Sequence, residues 1–144
     1  MFRGLACALS LLAACSTPRP ARECYQEALH ELQRNRSAPK ALELLDEALR
    51  SDPAFREARL LRARVLIVLG RREDALAEYS RTISADPKEK ETYLERAALL
   101  AAMDRHEEAL ADLTAALRLY PHYVEAYLQR GQIHRQLGHA DAAE

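Results

Sequence analysis

The sequence predicts an all-α fold, a solenoid of antiparallel helix pairs, on three observations. Prolines stand at Pro53, Pro87 and Pro121, each thirty-four residues after the last. Alanines keep the same spacing twelve positions earlier, at Ala41, Ala75 and Ala109, with Ala143 next in the series. Between these marks apolar residues recur at i, i+3, i+4 and i+7, the period of a helix that buries one face. A fixed period of this length is the signature of stacked copies of one supersecondary unit. Such a stack buries each copy against its neighbours and presents one long surface, so it points to binding rather than catalysis.

Ending each unit two residues after its proline gives copies at residues 22–55, 56–89 and 90–123, and a partial copy at 124–144. Each copy reads as two helices. The first carries Leu29, Ala63, Ala97 and Gly131 at one register position and Leu32, Leu66, Leu100 and His134 three positions on. The second carries Leu45, Tyr79 and Leu113, then Ala48, Thr82 and Ala116. The small residues let two helices approach closely. Short loops separate the helices within a copy: Asn35-Arg36-Ser37, Gly70-Arg71, Asp104-Arg105 and Gly138-His139. Gly70 and Gly138 suit the left-handed conformation that ends a helix. Ser37 is expected to cap the helix after it, with Pro39 accommodated in the first turn. His106-Glu107-Glu108 reads as a first turn, where acids oppose the positive end of the helix dipole. Each period-marking proline stops a second helix, because it lacks the N–H and holds the preceding residue extended. The helix opening copy four is polar at Gln129, Gln132, Arg135 and Gln136, which suits a terminal cap. The expectation is three repeats plus a C-terminal capping helix, although a longer array would read the same up to Glu144.

These residues resemble the tetratricopeptide repeat (TPR) family. Its pattern runs aromatic, two residues, leucine, small residue, two residues, aromatic, then alanine, then an aromatic, then proline. Copy three reads Tyr93, Ala97, Leu100, then Ala109, Leu113, Ala116 and Pro121; copy four opens the same way with Tyr127 and Gly131, and copy one has Tyr25 at the opening. Copy two departs at Arg59, in place of the aromatic, and at Thr82. The resemblance covers residues 22–144. It implies that first helices line a concave groove. The implied groove positions are Glu57, Leu60, Arg64, Ile67 and Val68 in copy two, then Glu91, Leu94, Ala98, Ala101 and Ala102 in copy three. Copy four supplies Glu125, Leu128, Gln132, Arg135 and Gln136, and copy one Glu23, Gln26, His30, Gln33 and Arg34. The groove centre is apolar and partly small-sided, its rim acidic at Glu57, Glu91 and Glu125. Leu60, Leu94 and Leu128 can equally serve to pack one hairpin on the next. Some family members clamp a terminal carboxylate with Lys and Asn; here those positions hold Gln26, His30, Leu61, Glu91 and Glu95, which argues against such a clamp.

The chain has 21 basic and 22 acidic residues, a balance that points to no polyanionic or polycationic partner. Apart from Lys40, Lys88 and Lys90 the basic residues are all arginine. Acids and bases alternate along the helices, as at Asp46/Arg50 and Glu78/Arg81, a pattern expected of a solvated face. Arg56, Arg59, Arg62 and Arg64 raise the question of phosphate contacts, but interspersed glutamates and their spiral placement point away from nucleic acid. No catalytic constellation, glycine-rich phosphate loop or cofactor motif is apparent. His134 and His139 are five apart, not the i, i+4 spacing that sets two metal ligands on one helix face.

Residues 1–14 differ in kind. Arg3 precedes an apolar run from Leu5 to Ala14, too short to span a bilayer and of the length of a signal-peptide core. Leu12-Ala13-Ala14-Cys15 resembles the bacterial lipobox, which implies cleavage before Cys15 and lipidation of its thiol. A plain secretory signal cut at the same alanines, or a cytosolic chain with an apolar start, would also contain such a run. Ser16 resembles outer-membrane sorting if the source is Gram-negative, and residues 15–21 read as a lipidated cysteine with a short tether. Cys24 is then alone in the first helix, expected as a small, partly buried residue. The function implied is a membrane-anchored adaptor or scaffold of the bacterial envelope, holding a partner protein's helix or extended segment in the groove. A periplasmic chaperone-like module with broad, weak specificity is the alternative. No enzyme activity, cofactor, metal, small-molecule substrate or nucleic-acid partner is expected.

Overall fold

The computed structural model describes residues 19–138. The N-terminal apolar run, Cys15, His139 and Ala143 lie outside the described residues. Helices follow in the order α1 (Ala21–His30), α2 (Ala38–Ser51), α3 (Arg56–Val68), α4 (Arg72–Ala85), α5 (Lys90–Ala101), α6 (His106–Leu119) and α7 (Val124–Gln136). A π-helical turn over Glu31–Asn35 prolongs α1. Among the described residues there is no strand. Three hairpins, α1–α2, α3–α4 and α5–α6, stack in sequence; α7 follows as a further first helix, packed on α6 and touching α5.

The prolines mark the helix ends as expected. Helices α2, α4 and α6 stop at Ser51, Ala85 and Leu119, and the residues before the prolines, Asp52, Asp86 and Tyr120, leave the helical region with φ near −139°, −137° and −135°. Asp52 and Asp86 then close the turn with their side chains: Oδ1 accepts the N–H of Ala54 at 2.9 Å and of Lys88 at 3.1 Å. Tyr120 reaches further and donates its hydroxyl to Lys88 O at 2.8 Å, tying one turn to the preceding one.

Within each copy, one left-handed residue ends the first helix: Arg36 (φ 50°), Gly70 (φ 75°), Asp104 (φ 59°) and Gly138 (φ 74°). These four positions keep the thirty-four-residue period, although only two are glycine. Beyond Gly70 and Asp104, the N–H groups of Arg71 and Arg105 reach back to Leu66 O at 2.8 Å and Leu100 O at 2.9 Å, a Schellman closure. In copy one the corresponding N–H, of Ser37, goes to Glu31 O at 3.4 Å, one residue further back, because the π turn widens the last turn. Ser37 stands at the N-cap of α2 with Pro39 in the first turn, but contrary to expectation its side chain makes no capping hydrogen bond. Acids answer the dipole elsewhere, with Glu73 and Asp74 opening α4 and Glu107 and Glu108 opening α6.

The repeated small and large positions form the core. Ala41, Ala75 and Ala109 are fully buried, as are Ala63 and Ala97, with Leu45, Tyr79, Leu113 and Leu66 filling the space between helices. A further series, not singled out in the sequence, consists of Cys24, Ala58, Thr92 and Ala126, each 0 % exposed. Cys24 is thus wholly rather than partly buried, and that burial pushes its thiol up from the ordinary cysteine range. Thr82 takes the place of an alanine without leaving a polar orphan, since its hydroxyl donates to Glu78 O at 3.0 Å. The Thr92 hydroxyl has no partner.

Two further expectations need correction. Glu78 is not on a solvated face: it is 2 % exposed and sits among Arg59, Arg62 and Arg81. The alternation of signs along α4 reflects an ion-pair network between helices. Ala21, read as the end of a tether, is the first residue of α1, and Arg19 before it pairs with Glu27 at 2.5 Å. On α7, Gln132, Arg135 and Gln136 are exposed, as are the larger apolar side chains of Val124, Tyr127 and Leu128.

Thr92→Val keeps the shape and removes the unpartnered hydroxyl. It is expected to stabilise the fold by about 1 kcal/mol, read as a higher urea midpoint at unchanged slope. Asp104→Gly relieves a left-handed residue whose carboxylate is exposed and is expected to be neutral to stabilising by about 0.5–1 kcal/mol in the same assay.

Candidate binding face

Successive residues on a helix turn by about 100°, so Glu57, Leu60, Arg64 and Ile67 fall on one side of α3. The same register sets Glu91, Leu94, Ala98 and Ala101 on α5, and Glu125 and Leu128 on α7. The three glutamates, Arg64 and Ala98 are exposed, and Leu128 is 62 % exposed. Leu60, Ile67, Leu94 and Ala101 are half-buried and pack against the core. These four therefore join hairpin to hairpin as well as flooring the face.

Between α5 and α7 the face deepens into a pocket of about 260 Å³. One wall is small and apolar, Ala98, Ala101 and Ala102; the other carries the side chains of Gln129, Gln132 and Gln136, with Ile133 beneath. The sequence placed Ala98, Ala101, Gln132 and Gln136 on this face but not Gln129 or Ile133. Gln129 stands four positions after Glu125 and three before Gln132, a helical spacing that sets it on this same face.

Arg64 is not a free cation on this face. Its Nε donates to Glu95 Oε2 at 3.1 Å, and Nη2 makes a second bond to Oε1, giving a two-pronged pair between α3 and α5. Tyr79, from α4, donates its hydroxyl to the same Oε2 at 3.0 Å. The Glu95 hydrogen bonds hold the Arg64 guanidinium above its usual range. Burial first, then the adjacent Glu95 charge, pushes the Tyr79 phenol far up, so it acts as a donor throughout the physiological range. The knot Tyr79–Glu95–Arg64 was not legible in the sequence, because residues 64 and 95 fall one helical turn out of register with the thirty-four-residue period.

The acidic rim has local partners of its own. Arg56 pairs with Glu89 and lies 3.6 Å from Glu57, and Lys90 Nζ lies 3.9 Å from Glu91. Burial, then a hydrogen bond with Glu91, raises the Glu89 carboxyl above the usual carboxylate range against the pull of Arg56. Lys90 also stands 4.6 Å from the Tyr123 ring centroid and 5.3 Å from that of Tyr120. Among the described residues no group of three His, Cys, Asp or Glu side chains converges as a metal site, and no helix is long and apolar enough to cross a membrane.

Comparison with known proteins places this geometry. Two family models, each described as tetratricopeptide repeat, match residues 21–103 and 94–144. Among curated proteins nothing matches. Solved structures do: MamA superposes with a TM-score of 0.78 at 16% identity, over 88% of this chain and 74% of that one. A tetratricopeptide repeat protein from Parabacteroides merdae gives 0.77 at 24% identity, over 85% of this chain and 49% of that one, so the present chain spans about half its length. The first TPR of Spaghetti (RPAP3), bound to the HSP90 peptide SRMEEVD, gives 0.73 at 19% identity, over 84% and 95%. At these identities the likeness is one of fold.

Removing Glu95 strands a buried phenol and an arginine together. Glu95→Ala is expected to cost about 2 kcal/mol and Tyr79→Phe about 1 kcal/mol. The double variant should cost no more than Glu95→Ala alone, since the phenol's partner is already gone. Chemical denaturation of the four proteins checks this.

Proposed function

From the premise that the chain belongs to the tetratricopeptide repeat family, we propose that it is an adaptor that holds a segment of a partner protein on its first-helix face. Repeats of this family are interaction modules, and nothing among the described residues shows catalytic activity. The observation that carries the reading is the pocket between α5 and α7, where a wall of small alanines faces a row of glutamine amides. Alanines leave room for a backbone to approach. Glutamine offers both a donor and an acceptor to a peptide's N–H and C=O groups. A helix or extended segment laid across the stack would meet apolar ground at Leu60, Leu94 and Leu128 and acids at Glu57, Glu91 and Glu125. Relatives in fold are known to hold peptides, as the Spaghetti TPR holds its HSP90 peptide. Of the five positions a carboxylate clamp would use, none holds Lys or Asn and two, Glu91 and Glu95, are acids, and Glu95 is already committed to Arg64 and Tyr79. The partner segment is therefore bound through its interior or its apolar and basic side chains, not through a terminal carboxylate.

We place the adaptor in a bacterial envelope, tethered by lipid at Cys15. The support is the sequence Leu12-Ala13-Ala14-Cys15 behind a short apolar run; two or more acyl chains anchor stably where one does not. In a Gram-negative source, Ser16 favours the outer membrane, facing the periplasm. Radiolabelled palmitate incorporation that persists in Cys15→Ser would contradict this placement.

Ala98→Glu tests the face. Ala98 is exposed, glutamate is a good helix former, and the longer charged side chain fills the pocket. Affinity purification of the tagged full chain from envelope extract is expected to retain a discrete partner that the variant loses, while circular dichroism stays unchanged. A partner retained equally by both would contradict the assignment, and many weak partners lost together would favour a chaperone-like module.

A further inference from the structure

Around the first two copies stand arginines that the repeat does not require. Arg50, Arg59 and Arg81 occupy positions that, one period later, hold Ser84, Tyr93 and Ala115. With Arg62 they line a surface pocket of about 240 Å³ between α2, α3 and α4, shared with two carboxylates, Asp46 and Glu78. Four guanidinium groups against two acids leave a formal charge of +2. The pocket one repeat on, between α4, α5 and α6, holds Arg96 and Arg105 against Glu108 and Asp112 and is formally neutral.

The contacts show which charges are already answered. Arg62 Nε donates to Asp46 Oδ1 at 2.6 Å, and its Nη1 lies 2.8 Å from Glu78 Oε1. Arg81 also donates to Glu78 Oε1, while Arg59 Nε stands 3.9 Å from Oε2 and its Nη2 donates to Pro53 O. Arg50 meets only a backbone oxygen, Asp46 O at 3.4 Å. The buried Glu78 thus gathers three arginines around one carboxylate, and Arg50 adds a fourth guanidinium with no acid of its own. Two positive charges remain unmatched in a concave site whose central members are held in place by a buried anion.

We propose that this pocket binds a phosphoryl dianion. A phosphate monoester carries about −1.5 to −2 at neutral pH and presents three acceptor oxygens, which matches the unmatched charge, and guanidinium forks bind such oxygens two at a time. The pocket is smaller than the ~300–1,000 Å³ of drug-sized sites, the right scale for one such group. It lies on the far side of α3 from the partner-binding face: by helical geometry Arg59 and Arg62 point roughly 150° away from Glu57, Leu60, Arg64 and Ile67. Both faces can therefore be occupied at once.

The test is NMR of the arginine Nε–Hε groups in the full chain, titrated at constant ionic strength with inorganic phosphate and separately with O-phosphoserine. Saturable shifts at Arg59 and Arg62, and none at Arg96, are the expected result; a lower dissociation constant for phosphoserine would identify an ester on a partner as the source, and a lower one for phosphate the free anion. Arg50→Ser with Arg81→Ala, the residues found one period later, should weaken binding roughly tenfold. Should the double variant fail to fold, Arg50→Ser alone, which breaks a single long contact to a backbone oxygen, should still weaken it. No saturable shift with either probe, equal shifts at Arg96, or unchanged affinity in Arg50→Ser would overturn the proposal.

Discussion

Close approach of helices at small, fully buried residues is the constraint on which the rest of the structure depends. Ala41, Ala75 and Ala109 open the second helices; Ala63 and Ala97 lie midway along the first; Cys24, Ala58, Thr92 and Ala126 lie near their starts. All are fully buried, and each series recurs at thirty-four residues. Large residues at the intervening positions, such as Leu66, Tyr79 and Leu113, fill the gaps that remain. Because each hairpin touches only its neighbours, stability is a sum of local interfaces. The first-helix face, its pocket and the arginine pocket behind it all inherit their geometry from that spacing.

Within the stack, buried ion pairs set register more than they add stability. Arg62–Glu78 and Arg96–Asp112 each span sixteen residues and join the two helices of one hairpin. Each arginine also reaches the preceding second helix, Arg62 to Asp46 and Arg96 to Ser80 Oγ at 3.0 Å. Arg96 binds Asp112 with two prongs, at 2.7 and 2.6 Å. Desolvation offsets much of the attraction in such pairs, so apolar packing supplies the driving force. What the pairs supply is a fixed arrangement of three helices around one guanidinium, which penalises a slipped register with an unpaired buried charge.

The fold was legible because period, small residues and prolines all recur in the primary sequence and each acts locally. Even the non-glycine loop ends at Arg36 and Asp104 fell in the predicted loops. Less was legible wherever the partner comes from another repeat. Glu78 and Arg81 look like ordinary surface alternation until α3 brings Arg59 and Arg62 against them. Arg64 looked available on the first-helix face until α5 supplied Glu95. Ser37 stands at the expected N-cap, but nothing in the sequence shows that its side chain makes no capping hydrogen bond.

The most direct measurement compares Ala97→Leu with Ala98→Leu by chemical denaturation. The two substitutions are the same and adjacent, but Ala97 is fully buried and Ala98 is exposed. The account predicts that Ala97→Leu costs about 1–3 kcal/mol by forcing helices apart, while Ala98→Leu stays within about 0.5 kcal/mol of the parent. Equal stability of the two variants would contradict the claim that close approach at the small positions holds the stack together.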